Sequence, residues 1–148
     1  MNRPWISALA VLAVATVTVV AGEIKLEDVQ CVVASRGAQE SKAADYKDAK
    51  VYFCCGNCLA KFESSPKPFA ENANRQLVQT GQYTQKGCPF SGGDVNPETM
   101  LSVAGAKVAF CCNNCKGKVA AADSKEQVKL VFNEKAFKNG FEKAKPAG

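Results

Sequence analysis

The eight cysteines of this 148-residue chain fall at 31, 54, 55 and 58 and again at 88, 111, 112 and 115. Each member of the second set follows its counterpart by 57 residues, so both sets read Cys-x22-Cys-Cys-x2-Cys. There is no histidine. A Ser-His-Asp triad, a Cys-His pair and a His-ligated zinc or haem are therefore excluded, and a thiol nucleophile would need a different activating base. What remains is the chemistry of sulfur. Three or four converging thiolates suit a tetrahedral or trigonal site for a soft or borderline ion, either zinc at about 2.3 Å from each sulfur or copper(I). Calcium and magnesium want oxygen ligands and are poor candidates.

The sequence around the cysteines repeats too. Ala49-Lys50-Val51-Tyr52-Phe53-Cys54-Cys55-Gly56-Asn57-Cys58 matches Ala106-Lys107-Val108-Ala109-Phe110-Cys111-Cys112-Asn113-Asn114-Cys115, and Lys61 corresponds to Lys118. Self-similarity at a fixed period marks two copies of one module, here 22–82 and 83–142. Each copy is small enough to need a staple beyond its own core.

The elements that must position the thiols can be read in both copies. Residues 44–46 and 50–53 are β-prone runs around Lys47-Asp48-Ala49, and 101–103 and 107–110 are their counterparts around Ala104-Gly105. Both predict β-hairpins leading into a cysteine cluster. Residues 59–63 predict a short helix stopped by Ser65-Pro66. The close cluster thus sits where a strand gives way to a helix. Thiols three or four apart converge there, and the helix N-terminus favours thiolate. The distant cysteine is brought back by the chain preceding the hairpin. Further on, 69–80 predicts a helix with Phe69, Ala73, Leu77 and Thr80 along one side and Gly81 at its end. In the second copy Ser124-Lys125-Glu126-Gln127 fits a capping box, and 134–138 predicts a last helix ending at Gly140. Residues 83–87 read as the boundary between modules and 143–148 as a disordered tail. The expected fold class is α+β.

The stretch from Tyr52 to Glu63 resembles the C-terminal half of the TRASH/YHS-type modules, and Cys88-Pro89-Phe90-Ser91-Gly92 resembles the Cys-Pro-x-Ser-Gly opening of their exported bacterial members. The family pattern is a cysteine, about twenty residues, then Phe-Cys-x3-Cys and a short helix. The resemblance covers roughly 28–70 and 86–125. It implies treble-clef-like metal-binding folds and a role in sensing, trafficking or resistance of heavy metals. It also implies Cys31, Cys54 and Cys58 as ligands in the first copy and Cys88, Cys111 and Cys115 in the second; the extra adjacent Cys55 and Cys112 depart from the family pattern and are candidates for a fourth ligand. One zinc or copper(I) ion per module follows. The chain departs from the pattern at Cys31-Val32-Val33-Ala34-Ser35, which lacks the Pro and Gly of the first knuckle, and at Val119, which replaces Phe62. Neighbouring residues rarely aim at one ion, so one of Cys54/Cys55 and of Cys111/Cys112 is expected to be buried or redox-active.

Other uses of the same thiols stay open. Four disulfides would staple two thin cores, with three connectivities in each module that sequence cannot choose between. Cys55-Gly56-Asn57-Cys58 and Cys112-Asn113-Asn114-Cys115 are CxxC sequences at helix starts, the setting of a reactive thiol, but without the βαβ context of a thioredoxin-like fold. Glu40, Asp45, Asp94 and Glu98 lie near the hairpins and read as surface or turn residues, so no catalytic site is expected. Lys50 and Lys107 read as solvated strand lysines, and Phe53 and Phe110 as core anchors.

The N-terminus and the composition set the compartment. Arg3 precedes an apolar run from Ile6 to Val20, and Val19-Val20-Ala21 offers small residues at the −3 and −1 positions. The run is short of the roughly 20 residues of a membrane span, so 1–21 is expected to be a cleaved signal peptide. The mature chain of 127 residues would be exported, periplasmic or secreted, with no membrane attachment. With 47% hydrophobic and 22% charged residues, wholesale disorder is excluded. The formal charge of +5 is spread over 16 lysines and three arginines without a basic stripe, so no nucleic-acid partner is expected. The expected function is non-enzymatic metal binding; the alternative is a disulfide-stapled interaction module.

Overall fold

In chain order the elements are β1 (Gln39–Tyr46), β2 (Ala49–Phe53), α1 (Gly56–Ser64), α2 (Ala70–Gln79), β3 (Tyr83–Gln85), β4 (Asn96–Val103), β5 (Ala106–Phe110), α3 (Asn113–Ala120), α4 (Ser124–Phe132), α5 (Glu134–Gly140) and β6 (Phe141–Lys143). A computed structural model describes residues 23–146; the expected signal peptide lies outside them.

The two predicted hairpins form, β1 against β2 and β4 against β5, both antiparallel. Each turns through two residues at positive φ, Lys47 (51°) and Asp48 (57°) in the first, Ala104 (47°) and Gly105 (87°) in the second. Two successive left-handed residues make a type I′ turn, whose twist matches that of the strands it joins. Both ladders slip at the same place in the repeat, between Gln39 and Ala43 and between Asn96 and Leu101. The end of each second strand is buried, Val51-Tyr52-Phe53 and Val108-Ala109-Phe110, which drives the chain into the core just before the cysteines.

A two-stranded sheet leaves backbone groups open along its outer edge. Glutamine amides close them here. Gln76 on α2 accepts from the Tyr52 N–H at 2.6 Å and donates to its carbonyl at 3.0 Å. In the second half, at the equivalent Ala109, Gln85 on β3 accepts from the N–H at 2.9 Å and donates to the carbonyl at 2.6 Å. α2 therefore buries Ala73 and Leu77, as its periodicity predicts, and Asn74, Arg75 and Gln76 as well. α4 is capped by Asp123, whose carboxylate accepts the N–H groups of Lys125 and Glu126 at 3.0 Å. The cap falls one residue before the Ser124 expected from sequence, because Asp123-Ser-Lys-Glu126 offers the stronger acceptor at the same spacing.

The stretch expected as a boundary, 83–87, begins with β3, which pairs antiparallel with β6. The register Tyr83↔Lys143, Thr84↔Glu142, Gln85↔Phe141 maps onto itself when the two copies exchange places, so the halves meet about a local pseudo-two-fold. Lys143, assigned to the tail, ends β6, and Ala144 N–H still donates to the Gln82 carbonyl at 2.9 Å. Across this junction the Asn74 amide donates to the Phe132 carbonyl at 2.9 Å, and Lys47 pairs with Glu134 at 2.6 Å. Buried residues of both halves form one contiguous cluster that includes Cys31 and Cys88. Two copies too small for a substantial core thus bury their apolar faces on each other. The fold is α+β, with two similar cysteine-rich halves, each ordered as knuckle, hairpin and helix in treble-clef-like fashion.

Candidate metal centres

Each site is assembled from three pieces of chain. The first is a knuckle. Cys31 N–H donates to the Arg36 carbonyl, and Cys88 N–H to the equivalent Gly93 carbonyl, both at 2.8 Å. The second knuckle is tighter. Gly92 takes φ +72° and its N–H donates to the Cys88 carbonyl at 2.7 Å. A Cβ at Gly87 would fall 2.7 Å from the Gly92 carbonyl oxygen, so the approach needs glycine.

The second piece is the strand end. With Phe53 and Phe110 wholly buried, Cys54 and Cys111 follow at the mouth of the core. The third is the helix start. Cys55 and Cys112 are the N-caps of α1 and α3 with matching extended backbones (φ −161° and −158°), and Cys58 and Cys115 lie in the first turns.

The sulfurs of Cys31, Cys54 and Cys58 all lie within 4.8 Å of one another, and so do those of Cys88, Cys111 and Cys115. Cys54 and Cys58 are 3.7 Å apart, Cys111 and Cys115 3.6 Å. Tetrahedral thiolates at about 2.3 Å from zinc stand about 3.8 Å from each other, whereas a disulfide needs about 2.05 Å. The spacing can accommodate an ion, and an all-sulfur donor set suits zinc or copper(I) alike. No carboxylate joins either trio among the described residues.

Cys55 and Cys112 lie beside the trios. Each sulfur is 3.8 Å from its neighbour, Cys54 or Cys111, but outside the mutually close set. Neither is buried; Cys55 is half-buried and Cys112 exposed. Extended backbone sends successive side chains to opposite sides, so the first of each adjacent pair turns inward and the second stands at the rim.

The electrostatics of the trios are uneven. Burial pushes the Cys88 thiol up, but the backbone N–H groups of Ser91, Cys111 and Phe90 outweigh it and bring the thiol down to about 6. Cys31 is also lowered; burial is again opposed, by the N–H groups of Cys54, Val33 and Ala34. Cys58 and Cys115 are each pushed up to about 12, by burial first and then by hydrogen bonds to the adjacent thiols and the charge of Cys31 or Cys88. Each trio thus prepares one thiolate and protonates a partner, since like charges this close do not coexist without a cation. A bound cation reverses that balance. Cys55 and Cys112 are lowered chiefly by the helix-start N–H groups of Cys58 and Cys115.

The remaining candidates are peripheral. Lys50 pairs with Asp45 at 2.9 Å in solvent, and Lys107, Glu40, Asp94 and Glu98 are exposed. The backbone donors at Val33, Ala34, Phe90 and Ser91 were not legible as site groups; only Pro89 and Gly92 signalled a knuckle, in one copy. Fold and site together define a cysteine-rich α+β protein with two trithiol clusters, each able to hold a metal ion. No known protein family, curated protein or solved structure matches the chain.

Proposed function

We propose that the mature protein is an exported, non-enzymatic metal-binding protein of the TRASH/YHS type that holds one zinc or copper(I) ion in each half and serves heavy-metal handling. The observation that carries this reading is the odd number of sulfurs at each point of convergence: three, in the same arrangement, twice. A disulfide within a trio uses two of its thiols and leaves the third to the rim cysteine, 3.8 Å from Cys54 or Cys111, whereas one ion uses all three at once. Cys31, Cys54 and Cys58 hold one ion, and Cys88, Cys111 and Cys115 the other, with Cys55 and Cys112 at the rim as fourth donors. The ion links knuckle, strand end and helix start, so binding energy is also folding energy and loading releases protons. Export rests on the Arg3 and Ile6-to-Val20 pattern, and the non-enzymatic reading on the lack of histidine and of an acid–base pair by the thiols.

The test is direct. The mature protein is purified from an oxidising compartment, and its metal content and free thiols are measured before and after chelation. About one ion per half, with thiols released by the chelator, is expected. A metal-free protein lighter than the reduced chain by the hydrogens of all eight thiols overturns the reading and leaves a disulfide-stapled module.

A further inference from the structure

Among the described residues Arg75 is the one buried arginine; it is 3% exposed on α2. Its Nη1 donates to Gln79 Oε1 at 2.7 Å and to the Ala104 carbonyl at 2.9 Å. Among the described residues no carboxylate lies within ion-pair distance of it. Burial pulls its pKa down and no acidic neighbour restores it. A guanidinium offers five N–H donors in a planar fork. The Nε and Nη2 donors have no partner among the described residues, and the side chain borders a cavity of about 440 Å³ between the first knuckle, α2 and the start of α4. A buried charge without a counter-charge is costly, and such a fork matches a carboxylate or phosphate two bonds at a time.

We infer that this cavity is a binding site for a small oxyanion, a carboxylate or a phosphate, held by the Arg75 guanidinium. The volume lies within the range of small-molecule sites. Lys125 and Lys129 stand at the rim with Glu71 and Glu126, and Glu126 is engaged by Lys129 at 3.8 Å. Arg75, Lys125 and Lys129 stand against Glu71 and Glu126 with the Cys31 sulfur on the same wall, so selection lies in the Arg75 fork rather than in net charge. The helix start itself is not the receptor, because Asp123 already takes the first N–H groups of α4. The cavity beside the second knuckle is smaller, about 170 Å³, is lined by Pro89 and Phe90, and has no arginine. The anion site, walled by both halves, has no counterpart beside the second knuckle. Cys31 also lines the cavity, so an occupant sits behind the first trio, but its hold on Arg75 does not depend on a metal.

Nitrogen-15-labelled protein titrated with inorganic phosphate, and separately with acetate, at ionic strength held constant with chloride, tests this. Saturable shifts of the Arg75 Nε–H and of the amides of Val32, Ala104 and Lys125 are expected, with the amides of Cys111 to Cys115 unmoved. The arm that saturates first tells phosphate from carboxylate. Arg75→Gln weakens binding tenfold or more, and Arg75→Lys, which keeps charge but loses the fork, falls between. Should the Arg75 variants fail to fold, Lys125→Gln, on an exposed side chain, weakens binding about two- to fivefold. No saturation with either anion by tens of millimolar, or equal shifts at Cys111 to Cys115, overturns the proposal and leaves Arg75 as a clamp on the Ala104 turn.

Discussion

The two halves solve one packing problem from opposite sides. Phe53 and Phe110 occupy equivalent, wholly buried positions just before the cysteines. In the first half the aromatic partner comes from α1: Phe62 packs on Phe53 with centroids 5.3 Å apart and meets Tyr46 edge-on at 5.6 Å. In the second half that helix position is Val119, and the partner comes from the knuckle, where Phe90 stacks on Phe110 at 6.0 Å. The knuckle position equivalent to Phe90 is Val33. Phenylalanine and valine have exchanged places, so total volume is kept and cores tolerate the change. The consequence concerns the ligands. The aromatic braces the helix carrying Cys58 in one half and the knuckle carrying Cys88 in the other. The second knuckle is further fixed by Pro89, Gly92 and Gly93, and its Cys88 is brought down to about 6. The second site is the better prepared of the two.

The largest effects come from breaking one trio at a time. If each trio holds an ion as proposed, Cys88→Ser and Cys31→Ser should each abolish binding at one trio and cost several kcal/mol of stability, because thiolate-bound metal contributes to folding outright. The comparison is decided by order. With metal limiting and a competing chelator present, the second half loads first, so Cys31→Ser retains more of the substoichiometric metal than Cys88→Ser does. Native mass spectrometry with melting curves reads both. Equal loading in the two variants would show that knuckle geometry does not rank the sites.

Next comes the aromatic exchange. Phe62→Val should cost about 2 kcal/mol, since it truncates a buried side chain. Val33→Phe alone gains little or overpacks by about 1 kcal/mol. Together they rebuild in the first half the arrangement of the second. The double variant should recover about 0.5–1.5 kcal/mol relative to the sum of the singles, read by urea unfolding of the metal-loaded protein. Strict additivity would mean that the two phenylalanines do not substitute for one another.

Why some of this was legible and some not has physical reasons. The hairpins, the helices after the cysteines and the convergence of the trios follow from local pattern: β-prone runs in 50–53 and 107–110, and a fixed Cys-x3-Cys spacing at a helix start. The joined core did not follow, because it depends on which faces two copies present to each other, and no local period records that. Gln76, Gln85 and Asn74 look like surface residues by type, yet tertiary contact buries Gln76 and Asn74 as partners for open backbone groups, and turns Gln85 to the same use. Arg75 is the same case with a charge. The inward and outward members of each adjacent cysteine pair depended on the extended backbone at the helix cap, a conformation that composition does not specify.

The hairpin turns are tied to the opposite half by different chemistry, and acid should separate them. Lys47 in the first turn donates to Glu134 at 2.6 Å, and Asn74 and Tyr46 also donate to that carboxylate, each at 3.3 Å. Burial raises the Glu134 pKa, but these donors, Lys47 foremost, bring it below its ordinary value. A depressed carboxyl stabilises the fold fully above its unfolded pKa of about 4.3, and that contribution is lost as pH falls through the folded value. The second turn is held by Arg75 to the Ala104 carbonyl, which does not titrate there. Lowering pH through this window should release amide protection at 46–49 before 103–106. Because the Glu134 side chain is 63% exposed, solvent screening limits its share to under about 1 kcal/mol. Glu134→Gln should abolish the difference between the turns; if it persists, the tie lies elsewhere.

The smallest expected effect lies in the turns themselves. Asp48 holds φ +57° where the second half has Gly105. The left-handed region costs a residue with a Cβ about 1–2 kcal/mol, less for aspartate, whose side chain bonds locally. Glycine removes that cost but frees the unfolded chain. Asp48→Gly should therefore stabilise by only about 0.5 kcal/mol. The reverse change is less evenly balanced. At Gly105 the backbone conformation is unfavourable to any side chain, and a Cβ would stand 2.5 Å from Gln79 Nε2, the far end of the side chain that also receives Arg75. Gly105→Ala should cost about 1 kcal/mol or more, measured at equal metal loading. If the two substitutions came out equal and opposite, the turns would differ only in backbone preference. A larger loss at Gly105 marks the second turn as the one whose shape α2 reads.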